Sequence, residues 1–145
     1  MHPYPHTYTV SAAGSAEGAV TVGAARLPDL ATAPPAEFDG PGDQWSPETL
    51  LCAAVADCFI LTFRGLARAA RVEWVDIQCS VAGLLERTEG RAKFTRFDTF
   101  AQLTIAAGGD EHKAHHLLER AEHLCLISNS LSGARSLRAE VRVAD

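Results

Sequence analysis

Two of the four cysteines lie on stretches that are predicted to form the core helices, where a thiol either packs or reacts. Cys58 is in the middle of residues 46–71, and Asp57 is the only charged residue between Leu50 and Phe63. Cys125 lies on the apolar stripe of a second predicted helix. The two thiols could approach each other, although the ~7 Å limit between the Cα atoms of a disulfide cannot be tested from sequence. From the residues alone, packing is the more frequent role of a buried cysteine.

The other two cysteines are predicted to pack. Six residues along a helix place Cys52 about 120° around the axis from Cys58 and about 9 Å away, so it is a poor partner. Cys79 falls on the apolar face of a predicted strand. No CxxC pair occurs, which argues against a thioredoxin-type motif or a zinc knuckle.

The remaining side chains offer little other chemistry. Three histidines share the outer face of the second helix, His112, His116 and His123, and could bind a metal. A solvated polar face is the commoner explanation, since no ligand set on another element converges with them. There is no GxSxG motif and no glycine-rich phosphate loop. We therefore expect no metal and no cofactor.

Composition narrows the class of protein. The chain has 145 residues, a hydrophobic fraction of 47% and a net charge of −5. These values predict a single domain over residues 1–145. Without runs of Lys or Arg, we expect neither a nucleic-acid partner nor a membrane partner. The N-terminus does not resemble a signal peptide, so we expect a cytoplasmic protein with reduced thiols. The central apolar run is shorter than the ~20 residues of a membrane span, and Asp57 and Arg64 interrupt it.

The stretch from Ser46 to Arg71 is predicted to be the central helix. Ser46 is a suitable N-cap, and Pro47 fits the first helical position. Glu48 then lies where the helix dipole favours an anion. Because nearly every side of the helix is apolar, it is expected to lie in an interior.

Strands are predicted before and after this helix. A hairpin is expected from Thr7–Ala13 and Ala19–Val22, with a third short strand within Arg26–Thr32. Phe38 and Trp45 lie in a proline- and glycine-rich loop, either stapling it to the core or lining a pocket near the helix start. Period-two patterns follow, with one set of inward residues in each strand: Val75, Ile77, Cys79 and Val81; Phe97, Ala101, Leu103 and Ile105; Leu137, Ala139, Val141 and Val143.

Between the last two strands, Asp110 is a plausible N-cap for the second helix. Its apolar stripe contains Ala114, Leu117, Leu118, Ala121, Leu124 and Cys125. The order of elements predicts an α+β fold in which an antiparallel sheet covers two core helices.

One combination of segments resembles the OsmC and organic hydroperoxide resistance (Ohr) superfamily. It comprises Phe38-Asp-Gly, the helix start Ser46-Pro-Glu with Cys58 ten residues after the glutamate, and the later run HLCLISNSL from His123 to Leu131. The resemblance implies an intertwined homodimer with active sites at the subunit boundary. It also implies a peroxidase for organic hydroperoxides, in which Cys58 is peroxidatic, Cys125 is resolving, Glu48 is the active-site carboxylate and an external dithiol is the reductant.

Helix geometry bears on the role of Glu48. It precedes Cys58 by ten residues, about 15 Å along the axis, so it most simply serves Cys58 of the partner subunit. The family also pairs this carboxylate with an arginine, but the matching positions, Ser15 to Glu17 and Glu37, hold none. Arg26 is the nearest N-terminal candidate for the cation; the others are Arg64 and Arg135.

Two further hypotheses stay open. The chain could be a non-enzymatic dimer that binds a hydrophobic small molecule in a pocket near Cys58, lined by Phe38, Trp45 and Phe59. Alternatively, all four cysteines could be purely structural.

Overall fold

The computed structural model describes residues 1–145, which separate into two compact units, Met1–Leu50 and Leu51–Asp145. The elements follow in this order: β1 (Ser11–Ala13), β2 (Val20–Gly23), β3 (Leu30–Thr32), α1 (Pro47–Ala70), β4 (Trp74–Thr88), β5 (Arg91–Ile105), α2 (Glu111–Leu124), α3 (Leu126–Asn129) and β6 (Ala134–Val143). A single 3₁₀ turn at Ala36–Phe38 interrupts the loop that was predicted to be irregular.

The first unit contains an antiparallel sheet of β1, β2 and β3, which confirms the predicted hairpin and third strand. β1 begins at Ser11 rather than Thr7, because its pairing starts opposite Gly23, where β2 ends. In the following loop, Ala33 donates its N–H to the Trp45 carbonyl at 2.9 Å. This bond attaches the far end of the loop to the residue after β3.

Helix α1 begins at a reciprocal cap. The Ser46 hydroxyl accepts the Thr49 N–H at 3.1 Å, and the Thr49 hydroxyl accepts the Ser46 N–H at 2.9 Å. Two donors that the helix leaves free are thereby satisfied, and the predicted N-cap is confirmed. The helix ends where Arg71 adopts a left-handed conformation with φ of 55° and Val72 donates to the Ala67 carbonyl at 3.0 Å.

Helix α1 has 24 residues and is long and apolar enough to cross a membrane, as core helices of soluble proteins also can be. Its bounds agree with the predicted stretch from Ser46 to Arg71. In the structure, 28% of its most apolar window is buried.

The second unit contains a three-stranded sheet in the order β4-β5-β6. β4 and β5 form a long antiparallel hairpin, with Glu89 and Gly90 at positive φ in the turn. β6, however, pairs parallel with β5, so the sheet is mixed rather than fully antiparallel. The connection through α2 carries the chain back to the end of the sheet where β5 begins. β6 therefore starts at that end and can run parallel to β5.

The core of the second unit joins both long helices to β5. α1 buries Val55, Phe59, Phe63 and Ala67, which are spaced four residues apart and share one face. Their partners include two further sets: Ala114, Leu117, Leu118 and Ala121 of α2, and Ala101, Leu103 and Ile105 of β5. The α+β class and the inward faces of β5 and α2 follow the prediction.

Three residues depart from the predicted inward faces, and one of them is Val143 at the end of β6, which is 38% exposed. Val75 is 63% exposed, because the register shifts between Trp74 and Asp76 and turns Trp74 inward instead. Trp74 packs edge-on against Phe63, with ring centroids 5.6 Å apart. Leu124 is 49% exposed, because α2 ends there and the chain turns away.

Candidate functional site

Cys58 lies on α1 and is partly exposed. Its Sγ lies 3.9 Å from the Thr62 hydroxyl, one helical turn later, which is a weak contact for sulfur. Because a helix fixes the angle between neighbouring side chains, the direction of this thiol follows from the buried face formed by Val55 and Phe59.

Cys125 lies at the corner between α2 and α3, where it caps the first helix and precedes the second. Its side chain is 1% exposed. The Sγ lies 4.0 Å from the Val55 carbonyl oxygen, and the Ser128 hydroxyl donates to it at 3.3 Å. Since Val55 is three residues before Cys58 on α1, this contact brings Cys125 to the part of the helix that carries the other thiol.

The pKa of the Cys125 thiol depends on the groups around it. Burial raises the pKa of the Cys125 thiol, and hydrogen bonds from the side chain and backbone of Ser128 oppose that rise. The Cys58 thiol raises the pKa of Cys125 further, through a hydrogen bond and through its charge. The Cys125 sulfur, at the corner between α2 and α3, therefore lies against the part of α1 that carries Cys58.

The other two cysteines pack, and all four residues are free thiols. Burial, with a smaller effect of the charge on Cys125, raises the pKa of Cys79 to about 11. Burial also raises the pKa of Cys52, whose sulfur fits against Gly83; a Cβ there would lie 2.7 Å from it. Neither environment favours a thiolate.

An ion pair and hydrogen bonds from one arginine hold the corner between α2 and α3, which carries Cys125. Arg135 of β6 contacts the Glu122 carboxylate at 2.6 Å and the Asn129 side-chain oxygen at 2.7 Å. It also donates to the Glu122 backbone carbonyl. The side chains of Arg135 and Glu122 are 24% and 20% exposed, so the pair is well shielded. Arg135, one of the predicted cation candidates, is thus already engaged with Glu122.

Glu48 and Phe38 lie together in the first unit. They line an open cavity of about 470 Å³ whose other walls are mainly apolar, among them Val20, Val22 and Pro47. One carboxylate oxygen of Glu48 is buried and has no hydrogen-bond partner in the chain. A buried carboxylate oxygen requires a donor, so this residue is poised for one.

The remaining predicted site residues are distributed differently. Trp45 is 48% exposed and lines a separate groove in the first unit, and its backbone rather than its ring anchors the loop. Phe59 is 1% exposed and belongs to the core of the second unit, which argues against a pocket wall there. Arg26 is exposed in a left-handed turn with φ of 66°, and Arg64 is exposed on α1.

Ser128 was not predicted as a site residue, and Arg135 was predicted only as a candidate cation. For Ser128 a signal was available, because the spacing of three residues from Cys125 places its hydroxyl one turn along a helix. For Arg135 there was none, since its partners come from other elements. No group of three or more His, Cys, Asp or Glu side chains is arranged to hold a metal ion.

Comparison with known proteins identifies the family. A family model described as OsmC-like protein matches residues 40–140. The uncharacterized protein YmaD of Bacillus subtilis is 30% identical over 112 residues, 75% of each chain. An OsmC-like protein of unknown function from Vibrio cholerae superposes with a TM-score of 0.85 at 14% identity, over 93% of this chain and 99% of that one.

A second solved structure comes from Legionella pneumophila. That protein is described as an organic hydroperoxide resistance protein OsmC and predicted redox protein, and it has a TM-score of 0.72 at 25% identity. The alignment covers 97% of this chain and 99% of the Legionella protein. With the family model matching most of its length, this chain belongs to the OsmC-like family, within the OsmC and organic hydroperoxide resistance superfamily.

Proposed function

We propose that the protein is a thiol-dependent peroxidase that reduces organic hydroperoxides. The observation that carries the proposal is the contact of the Cys125 sulfur with the Val55 carbonyl oxygen at 4.0 Å, three residues before Cys58 on α1, where both cysteines are free thiols. A partly exposed thiol beside a buried one is the arrangement that a peroxidatic and a resolving cysteine require. The Legionella relative, an organic hydroperoxide resistance protein and predicted redox protein, supports a redox role related to peroxides.

The chemistry needs only thiols. The Cys58 thiolate attacks one peroxide oxygen, the O–O bond breaks, and the other oxygen leaves with a proton as an alcohol. Cys58 becomes a sulfenic acid. Cys125 then attacks the Cys58 sulfur, which releases water and leaves a disulfide. An external dithiol reduces this disulfide and is itself oxidised, so no cofactor takes part. A reducing, cytoplasmic location would supply such a dithiol.

The proposal includes an intertwined homodimer. The apolar side chains of Leu61, Leu124 and Leu126 are 52%, 49% and 63% exposed, although all three lie near the two thiols in sequence. A second copy would cover such side chains, and the unpartnered oxygen of Glu48 would then find its donor. In this dimer Glu48 of one chain serves Cys58 of the partner subunit, and Arg26 supplies the cation.

Counting thiols tests the chemistry. Reduced protein is treated with one equivalent of cumene hydroperoxide, and free thiols are titrated after denaturation. We expect the loss of two thiols per chain, no loss with Cys58→Ser, and one oxidised sulfur with Cys125→Ser. Cys52→Ser is the matched control and should still form the disulfide. Unchanged thiols in the unmodified protein would refute the peroxidase.

Mixing two inactive variants tests the role of Glu48. Chains with Glu48→Gln and chains with Cys58→Ser are unfolded together and refolded as mixed dimers. If Glu48 serves the partner, each mixed dimer regains one complete site, and peroxidase activity rises above that of either parent. Sites built within one chain would leave every mixed dimer inactive.

The cavity beside Glu48 favours a second candidate, a non-enzymatic binder of hydrophobic small molecules. Its volume of about 470 Å³ falls within the range of small-molecule pockets, and Phe38 contributes an aromatic wall. Under this alternative, hydroperoxide leaves the thiols intact while a fatty alcohol is retained through gel filtration. Phe38→Ala should then abolish retention.

A further inference from the structure

The hydroxyl group of Ser128 is buried and directed at a sulfur atom. Ser128 is 6% exposed, and its Oγ lies 3.3 Å from the Sγ of Cys125. Cys125 itself is 1% exposed, so solvent does not supply this sulfur with a donor. The same thiol faces the Val55 carbonyl oxygen at 4.0 Å, which can accept a hydrogen bond but cannot stabilise a negative charge. Ser128 is therefore the side chain suited to support charge on Cys125.

The fold keeps Ser128 at this position. Both residues belong to the corner between α2 and α3, where Asn129 donates its N–H to the Cys125 carbonyl at 2.9 Å. Arg135 then ties the Asn129 side chain to Glu122, on the other side of Cys125. Since the residues before and after the pair are fixed, the hydroxyl and the sulfur are pre-organised and need not be brought together for each reaction.

We propose that Ser128 is a catalytic residue of the resolving step, in which its hydroxyl donates a hydrogen bond to the Cys125 sulfur as that sulfur becomes the attacking thiolate. The inference rests on the proposed function, because it assigns a role within the same pair of thiols. Burial raises the pKa of Cys125 and the Ser128 hydrogen bonds oppose that rise, which agrees with the contact.

The step balances without another reactant. The Cys125 thiol gives up its proton, and the thiolate forms a bond to the sulfur of the Cys58 sulfenic acid. The S–O bond breaks, and the leaving hydroxide takes up that proton as water. The Cys125 sulfur is oxidised and the Cys58 sulfur is reduced, while Ser128 keeps its own proton. A charge-assisted hydrogen bond is about twice as strong as a neutral one, so the help from Ser128 grows as the charge develops.

An aromatic disulfide can test this step without peroxide. Reduced protein reacts with one equivalent of 5,5′-dithiobis(2-nitrobenzoate), and Cys58 releases the first thionitrobenzoate and keeps the second as a mixed disulfide. Attack by Cys125 on the Cys58 sulfur then releases the second coloured anion. The rate of that second release measures Cys125 alone, and peptide mass spectrometry verifies the Cys58–Cys125 disulfide.

The variants are matched in shape. Ser128→Thr and Ser128→Val have side chains of the same shape, but only threonine keeps the hydroxyl. We expect Ser128→Val to slow the second release about tenfold at pH 7.5 and to move its pH profile upward. Ser128→Thr should stay close to the unmodified protein. Ser130→Ala is the control, because the Ser130 hydroxyl on the same short helix donates to the Leu126 carbonyl at 2.8 Å instead.

The first release serves as an internal measure of folding, since Cys58 performs it in every variant. A second release from Ser128→Val at the rate of Ser128→Thr, with an unchanged pH profile, would overturn the inference. Equal slowing by Ser130→Ala would overturn it as well. If cumene hydroperoxide leaves the thiols of the unmodified protein intact while the second release still depends on the hydroxyl, the proposed peroxidase fails, and the support of the Cys125 thiolate by Ser128 stands for disulfide formation alone.

Discussion

Replacing Arg135 by Gln is expected to lower the free energy of unfolding by about 2–3 kcal/mol. The variant loses a 2.6 Å ion pair with Glu122 and a 2.7 Å bond to Asn129. An exposed pair would contribute about 0–1 kcal/mol, whereas breaking a fully buried pair costs about 3–5 kcal/mol. With side chains 24% and 20% exposed, this pair lies between those limits. For a chain of this size the melting temperature should fall by about 5–10 °C.

Urea titration monitored by circular dichroism measures the change, and a double-mutant cycle with Glu122→Gln isolates the pair. Because Arg135 also contacts the Glu122 backbone, part of its effect should survive in the Glu122→Gln background. The matched control is Arg138→Gln on the same strand, whose pair with Glu140 is 2.9 Å long but whose side chain is 76% exposed. We expect a clearly smaller change there, because solvent screens an exposed pair. Equal losses from both arginine variants would refute the reasoning that burial sets the strength of these pairs.

Three further substitutions test other parts of the structure. Ser46→Ala removes a buried N-cap and should lower the free energy of unfolding by about 1–2 kcal/mol in urea titration; no change would argue against the cap. Gly83→Ala places a methyl group 2.7 Å from the Cys52 sulfur and should cost about 1–3 kcal/mol in the same assay, with partial recovery on adding Cys52→Ala. Hydrogen bonds from Ser136 and then Arg96 lower the pKa of Asp98 below its ordinary 3.8, so the charged form contributes stability above that pH, which is lost as pH falls through the folded-state pKa. Ser136→Ala should therefore raise this pKa in an NMR titration, and an unchanged value would contradict the assignment.

Local features of the fold were predictable because each depends on neighbours in sequence. The Ser46 cap is confirmed, and so is Asp110, whose side chain accepts the Lys113 N–H at 2.9 Å. Alternation along β5 identified its buried face, from Phe97 to Ile105. Period-two patterns do not encode the partner strand or its direction, so the parallel pairing of β6 could not be read from them. The bulge that exposes Val75 depends on the same unseen partner.

In the candidate site, too, the features that depend on neighbours in sequence were predictable and those that depend on distant elements were not. Helical periodicity directed Cys58 and Cys125 inward, but their proximity depends on how α1 and α2 pack, which sequence spacing does not specify. Phe59 was named as a possible wall of a pocket near Cys58. In the structure it lies on the buried face of α1, since adjacent residues on a helix point about 100° apart. Ser128 lies one turn from Cys125, so its contact depended on local geometry alone.

The parallel pairing of β6 implies an order of assembly. β4 and β5 are joined by a tight turn, so their pairing needs only local contacts. β6 can pair with β5 only after the segment from Ala106 to Gly133 has folded. Arg135 arrives with this late strand, so the corner that carries Cys125 gains its brace at the end of folding. In an incompletely folded chain the Cys125 thiol would not be held in place. Rapid formation of the Cys58–Cys125 disulfide would then indicate that folding is complete. Pulse-labelled hydrogen exchange should accordingly protect the β4–β5 hairpin before β6.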